Sequence, residues 1–170
     1  MKKLINILFI AITCTLLSSC FEESQWDQFE EWRKTQDEWL NNELAKKDEA
    51  GNPYYMTVPA SFNNNAVVYL HFHNNTEETK NNLVPLYTSV VDMKYHGRIF
   101  NNVAFDSSYL STNPADSVVR FSAQKDNLIT GWVITLMNMH VGDSVTAIIP
   151  WNVAYGESGS GNIIKPYTHL

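Results

Sequence analysis

The stretch Leu128-Ile-Thr-Gly-Trp-Val-Ile-Thr-Leu-Met-Asn-Met139 decides the fold, because its apolar residues follow the spacing of one short helix. They recur three and four residues apart on a single helix face, as Ile129, Trp132, Val133 and Leu136. His140-Val-Gly142-Asp143 then predicts a turn into an apolar run at residues 144–149. We therefore expect a short helix that packs on a sheet.

The other apolar runs are short and separated by turns. They lie at residues 89–94 and 118–121, and Ala66-Val-Val-Tyr-Leu-His-Phe-His73 alternates like a strand. All seven glycines follow residue 50, so most of the chain is rich in turns. The predicted class is α+β, a curved antiparallel β-sheet wrapped around one short helix.

Composition narrows the possible functions. The chain has 170 residues and a formal net charge of −6, which suits one modest domain and disfavours a protein that binds phosphate backbones. It has two cysteines, which excludes a disulfide scaffold and a cysteine-rich zinc fold. His71 and His73 share one strand face without a third ligand nearby in sequence, so we predict no metal site. We also expect no cofactor.

Residues 1–19 predict a secretory signal peptide, with Lys2 and Lys3 before a short apolar segment. The sequence Leu-Ser-Ser-Cys20 resembles the lipobox of bacterial lipoproteins, of the Bacteroidetes type. This resemblance implies cleavage before Cys20, lipidation of its thiol and anchoring in the cell envelope, at the outer membrane and facing the periplasm or the surface. The alternative is an uncleaved anchor. Both cysteines, Cys14 and Cys20, fall in this segment, which favours lipidation.

Residues 20–50 predict an acidic helical spacer that follows the cysteine. Residues 21–50 hold ten acidic and four basic side chains, and Ser24 is a candidate N-cap. A stripe of mostly apolar residues follows helical spacing: Trp26, Phe29, Trp32, Gln36, Trp39, Leu40 and Leu44. The helix is expected to pack on its own domain or to serve as a spacer; a partner-binding helix is the alternative. Residues 51–81 are predicted to be a linker and strand region.

An aromatic set with one acid indicates an apolar pocket with a few polar groups, the usual composition of a ligand site. The set is Tyr95, Phe105, Asp106, Trp132 and Tyr155. Its residues lie in motifs that resemble, in order, those of FKBP-type peptidyl-prolyl isomerases. The motifs are Tyr95-His-Gly97 with Phe105-Asp-Ser-Ser108, Leu128-Ile-Thr-Gly-Trp132, Met139-His-Val-Gly142, Ile149-Pro-Trp-Asn-Val-Ala-Tyr-Gly156 and Ile163-Ile-Lys-Pro-Tyr-Thr-His-Leu170. The resemblance covers residues 82–170.

The resemblance implies a role for each matching residue. The catalytic pocket would comprise Tyr95, Phe105, Asp106, Trp132 and Tyr155, and substrate would also contact Val119, Leu128, Ile129, Ile163 and Ile164. Trp132 would form the floor and Asp106 the rim. The Ile129 N–H and the Tyr155 hydroxyl would bind substrate carbonyls. The alternative is that these residues are only the core of an α+β domain.

The implied function is isomerisation of prolyl bonds in envelope proteins. Its partners would be proline-containing polypeptides and the membrane through Cys20, with no nucleic acid, and the protein would be a monomer. The alternative is a non-catalytic peptide-binding or chaperone module. Val119, where the family has an aromatic residue, and Lys165, where it has proline, favour that alternative.

The family's domain has one more β-strand beyond the position of Leu170. Without that strand, backbone groups of its neighbours would be unpaired. Either the sequence is a fragment, or residues 54–73 fill the gap. We predict that the sequence is a fragment.

Overall fold

The computed structural model describes residues 24–111, 117–124, 126 and 128–170. The predicted signal peptide and Cys20 lie outside these residues. The chain divides into two compact units, one that ends at Glu30 and one from Glu31 to Leu170. Within the described part of the chain, no helix combines the length and the apolar character needed to cross a membrane.

The predicted acidic helix is present but interrupted. Helix α1 spans Gln25–Gln28 and helix α2 spans Glu30–Leu44. Ser24 is the N-cap of α1, as predicted, and its side chain accepts the Asp27 N–H at 3.3 Å. The two helices are separated at Phe29, whose φ of −104° and ψ of 16° are not helical.

Within the part of the chain that the structure describes, seven strands form three antiparallel sheets. Their bounds are β1 Met56–Ala60, β2 Asn63–Phe72, β3 Val90–Met93, β4 His96–Arg98, β5 Ala104–Ser107, β6 Val119–Ser122 and β7 Val145–Ile148. The strand orders are β1-β2-β7, β3-β6 and β4-β5. The remaining helices are α3 Thr76–Thr79, α4 Ser108–Ser111 and α5 Thr130–Leu136, with a 3-10 turn at Trp151–Val153.

Helix α5 confirms the short helix predicted within residues 128–139, and the α+β class is also confirmed. The helix packs on β1 and β2, with Ile134 only 3% exposed beside the fully buried Val68. Gly131 allows this close packing. A Cβ there would collide with the Ile149 side chain and lie 3.2 Å from the Val153 carbonyl oxygen.

A slot separates β7 from β3 and β4. Residues from all three strands, from α5 and Leu170 line a cavity of about 1190 Å³. The β2 strand pairs along the opposite edge of β7, so residues 63–72 do not occupy the slot. At its end, Leu170 and Ile149 exchange backbone hydrogen bonds of 3.0 and 2.9 Å.

Candidate active site

The site begins where β4 and β5 pair. Gly97 lies opposite Asp106, which brings the side chain of the preceding Tyr95 to the carboxylate. The Tyr95 hydroxyl donates to Asp106 Oδ2 at 2.6 Å, and the Ser107 N–H donates to Oδ1 at 2.7 Å. Burial and the neighbouring carboxylate raise the pKa of Tyr95, so this hydroxyl keeps its proton and remains a donor. Asp106 itself is exposed at the rim.

Three aromatic rings form the inner part of the site. The Trp132 ring, in the first turn of α5, meets the Tyr95 ring edge to face at 4.9 Å and 90°. Phe121 of β6 completes the cluster, with ring centroids 5.9 Å from Tyr95 and 5.8 Å from Trp132. Phe121 was not among the predicted site residues. The sequence does indicate Phe121, because residues two apart on a strand share one face and Phe121 follows Val119 by two.

A second aromatic pair is formed by Phe105 and Tyr155, whose rings meet edge to face at 6.4 Å and 88°. Burial raises the pKa of Tyr155, and the negative charge of Asp106 raises it further. Asp106 therefore acts electrostatically on both Tyr95 and Tyr155. The five predicted catalytic residues thus comprise one carboxylate and members of two aromatic groups, each of which contains a tyrosine that this carboxylate influences.

The remaining predicted residues lie around these groups with different exposure. Ile129 immediately precedes α5, and its carbonyl accepts the Trp132 N–H at 3.0 Å while its own N–H lies outside the helical ladder. Leu128 and Val119 are half-buried. Ile164 is 5% exposed but Ile163 is 41% exposed, so these neighbours face different environments.

Helix α2 contacts residues 163–170, the closing segment of the site. Gln36 is fully buried, and its Oε1 accepts the His169 N–H at 2.8 Å. His169 Nδ1 in turn accepts the Trp151 N–H at 3.1 Å. The Tyr167 N–H donates to the Gly156 carbonyl at 3.0 Å, next to Tyr155. A continuous set of contacts therefore runs from α2 to the turn that carries Tyr155.

Lys165, the departure from the family's proline, also contacts α2. Its Nζ lies 4.6 Å from the centroid of the Trp32 ring, a cation–π contact. The Trp32 Nε1–H donates to Thr168 Oγ1 at 3.1 Å. The substitution is therefore accompanied by a specific partner on the acidic helix.

The buried His169 gives a pH dependence of stability. Burial lowers its pKa from the ordinary 6.5, although Asp37, 3.5 Å from Nε2, pulls in the opposite direction. Below pH 6.5 the unfolded chain binds more protons, so the free energy of unfolding should fall as the pH falls. Urea unfolding of the wild type and His169→Asn from about pH 7 to about pH 5 measures this effect. The wild type should lose stability more steeply, and parallel curves would contradict the assignment.

His71 and His73, which share one face of β2, both interact with other protein groups. His71 stacks on Tyr54 at 3.7 Å, and its Nδ1 lies 3.0 Å from the Tyr54 carbonyl oxygen. His73 Nε2 hydrogen-bonds Thr146 Oγ1 at 2.8 Å. Among the described residues, no three His, Cys, Asp or Glu side chains are grouped as a metal would require.

The amino-acid sequence is similar to those of known proteins. The chain is 34% identical to the FKBP-type 22 kDa peptidyl-prolyl cis-trans isomerase of Escherichia coli over 51% of this chain and 39% of that protein. It is 33% identical to the peptidyl-prolyl cis-trans isomerase Mip of Coxiella burnetii over 48% of this chain and 33% of that protein. The chain therefore spans well under half the length of these relatives.

A solved structure shares the fold. The crystal structure of a peptidyl-prolyl cis-trans isomerase from Pseudomonas syringae superposes with a TM-score of 0.62, over 83% of this chain and 87% of that chain, at 23% identity. The family model of the FKBP-type peptidyl-prolyl cis-trans isomerases matches residues 85–170, half of the chain. This region contains both aromatic groups, Asp106 and the closing segment, and the chain belongs to the FKBP-type peptidyl-prolyl cis-trans isomerase family.

Proposed function

We propose that this chain catalyses cis-trans isomerisation of X–Pro bonds in polypeptides. The observation that carries the proposal is the cluster of Tyr95, Phe121 and Trp132 rings beside the Tyr95–Asp106 hydrogen bond. It offers a prolyl ring an apolar floor and offers the flanking peptide polar groups at the rim. The family membership of residues 85–170 supports the same activity.

The reaction needs no covalent intermediate. Amide resonance sets a barrier of ~18–20 kcal/mol to rotation about the peptide bond. A twisted bond has lost that resonance and is less polar than the planar bond. A site that removes water from the planar amide and fits the twisted one binds the transition state preferentially. Each ~1.4 kcal/mol of such preference gives about a tenfold rate increase.

In the proposed mechanism, the apolar and polar groups have separate tasks. Trp132 supports the prolyl ring, and Phe105 shields it from water. The Ile129 N–H and the Tyr155 hydroxyl bind substrate carbonyls and fix the ends of the bond that rotates. Asp106 accepts the hydrogen bond that orients the Tyr95 hydroxyl, and its carboxylate keeps the rim polar. Leu128, Val119, Ile163 and Ile164 contact the residues that flank the proline.

A protease-coupled assay with a proline tetrapeptide tests the proposal. Acceleration of cis-to-trans conversion above the uncatalysed rate, which takes tens to hundreds of seconds, is the expected result. Peptide binding without acceleration would instead identify a non-catalytic binding or chaperone module. Val119 is the feature that favours this second function, since its small aliphatic side chain stands where the family has an aromatic ring. The variant Lys34→Ala, at an exposed position of α2, serves as the activity control.

The two polar groups at the rim should matter only in part. Asp106→Asn and Tyr155→Phe each remove a hydrogen bond or a charge worth about 1–3 kcal/mol, so we expect a loss of about fivefold to about 150-fold in kcat/KM. Raised pKa values keep Tyr95 and Tyr155 protonated well beyond neutral pH. The rate should therefore be flat from about pH 6 to about pH 9. A bell-shaped profile with near-total loss in Asp106→Asn would indicate general acid catalysis instead.

We further propose that the protein is a lipoprotein of the cell envelope, of the Bacteroidetes type, and assists the folding of envelope proteins. Its parts are a signal peptide at 1–19, lipidated Cys20 with a helical spacer to 50, a linker and strand region at 51–81 and the FKBP-like domain at 82–170. The sequence Leu-Ser-Ser-Cys20 supports this. Cys20→Ser should release the protein from the membrane fraction or leave the precursor unprocessed; normal processing with full membrane retention refutes it.

A further inference from the structure

A second cavity lies between helix α5 and the turn of the β1–β2 hairpin. Its volume is about 530 Å³, within the range of about 300–1,000 Å³ that is typical of ligand pockets. None of the described residues that line it is charged, and they combine apolar side chains with a few hydroxyl and amide groups: Ser61, Phe62, Tyr87, Ala123, Gln124, Leu128, Thr130, Val133 and Met137. We call this cavity the Phe62 groove. Its lining suits an apolar, uncharged occupant, because a charge buried without a partner is costly.

The β1–β2 hairpin brings an exposed aromatic ring to this groove. Ala60 pairs with Asn63, so Ser61 and Phe62 form the turn between the two strands. Phe62 is 69% exposed, although turns usually take small or polar residues. Ala60 and Ala66, on either side of the turn, are buried in the core and hold it in place. The hairpin precedes residues 85–170, so this ring lies outside the region that matches the family model.

The groove adjoins the candidate active site at the beginning of α5. Leu128 and Thr130 both line the groove, and they are the two neighbours of Ile129 in the chain. The Ile129 N–H is the group proposed above to bind a substrate carbonyl. Trp132, on another face of α5, belongs to the ring cluster of the active site. Since one residue of an extended chain spans about 3.5 Å, a polypeptide held at Ile129 can reach the groove within a few residues.

We infer that the Phe62 groove binds a large apolar side chain of the polypeptide substrate, a few residues away from the proline. The inference rests on the proposed function, because the substrate enters the groove from the Ile129 N–H. Phe62 and Leu128 provide apolar surface for this side chain, and the hydroxyls of Ser61 and Thr130 are available to the peptide backbone. The groove therefore directs the protein to unfolded segments in which a proline lies near large apolar residues.

Two nonapeptides with one central Ala-Pro bond test this inference. The first carries leucine and phenylalanine beyond the residues that flank the bond, and the second carries serine at the same positions. Calorimetry with the full chain should show at least about tenfold tighter binding of the apolar peptide, since a large apolar side chain becomes buried. In Phe62→Ala this ratio of affinities should fall to about threefold or less.

Two further variants are matched controls. Phe62→Leu keeps an apolar side chain and should restore most of the ratio. Asn64→Ala changes an exposed residue of the same hairpin that does not line the groove, so the ratio should stay at the wild-type value. Because Phe62 is 69% exposed, its variants should fold, and the circular dichroism spectrum checks this.

Equal binding of the two peptides by the wild type, or an undiminished ratio in Phe62→Ala, overturns the inference. A dimer in sedimentation that dissociates in Phe62→Ala would assign the groove to a second copy and overturns it too. Calorimetry does not depend on catalysis, so the two proposals can fail separately. A ratio that is lost in Phe62→Ala upholds the groove even where the coupled assay shows no acceleration, whereas acceleration with equal affinities upholds the isomerase alone.

Discussion

Trp132→Ala is expected to reduce isomerase activity to the uncatalysed rate and to destabilise the domain. The indole meets Tyr95 at 4.9 Å and Phe121 at 5.8 Å, and it also packs against the core below α5. Removing a buried tryptophan costs about 3–5 kcal/mol, and the half-buried position places the loss near 3 kcal/mol. Urea unfolding and the protease-coupled assay measure the two effects.

Trp132→Phe is the matched control, because it keeps an aromatic floor of smaller area. It should retain most of the stability and a measurable fraction of the activity. Wild-type activity in Trp132→Ala would exclude the proposed role of Trp132, whereas a loss of stability with unchanged activity at low temperature would reduce Trp132 to a core residue.

Gly97→Ala is expected to disable the second aromatic group without unfolding the domain. A Cβ at this position would lie 2.6 Å from Phe105 Cζ and 2.8 Å from Cε2. The ring must move, and it then leaves its edge-to-face contact with Tyr155. Overpacking of this kind costs about 1–3 kcal/mol. We expect about a tenfold or greater fall in kcat/KM, measured in the coupled assay.

A double-mutant cycle isolates the cause of that effect. In Phe105→Leu the shorter side chain leaves room, so adding Gly97→Ala should cost much less than it does in the wild type. The expected coupling is on the order of 1 kcal/mol. Additive losses would show that the glycine acts through the backbone, at the shift of strand register between Gly97 and Arg98, and not through the ring.

The candidate site could be predicted from the motifs because the residues within each motif are brought together by local structure. Phe105 and Asp106 lie in β5 and Tyr95 immediately precedes its partner β4, so their proximity follows from local pairing. Trp132 lies in the first turn of the helix that the apolar spacing predicted, and Ile129 immediately precedes that helix. Phe121 was missed because the sequence comparison directed attention to Val119, although both lie on one strand face.

The contacts of α2 could not be predicted in the same way. The helical stripe containing Trp32, Gln36 and Trp39 was evident, but its partners lie far away in the sequence. No periodicity indicates that a buried amide of Gln36 will bind the His169 N–H. Likewise, the alternation of residues 66–73 predicted a strand without revealing which edge of β7 it would occupy.

The docking of α2 on the closing segment has a consequence for the order in which the molecule is made. The bonds of Trp32 to Thr168 and of Gln36 to His169 span 136 and 133 residues. On a ribosome, α2 emerges first and can acquire these partners only after residues 168 and 169 have been synthesised. Contacts of such sequence separation slow folding and leave apolar surface uncovered meanwhile. Nascent chains should therefore present Trp32 and Trp39 to chaperones until residues 168 and 169 have left the ribosome.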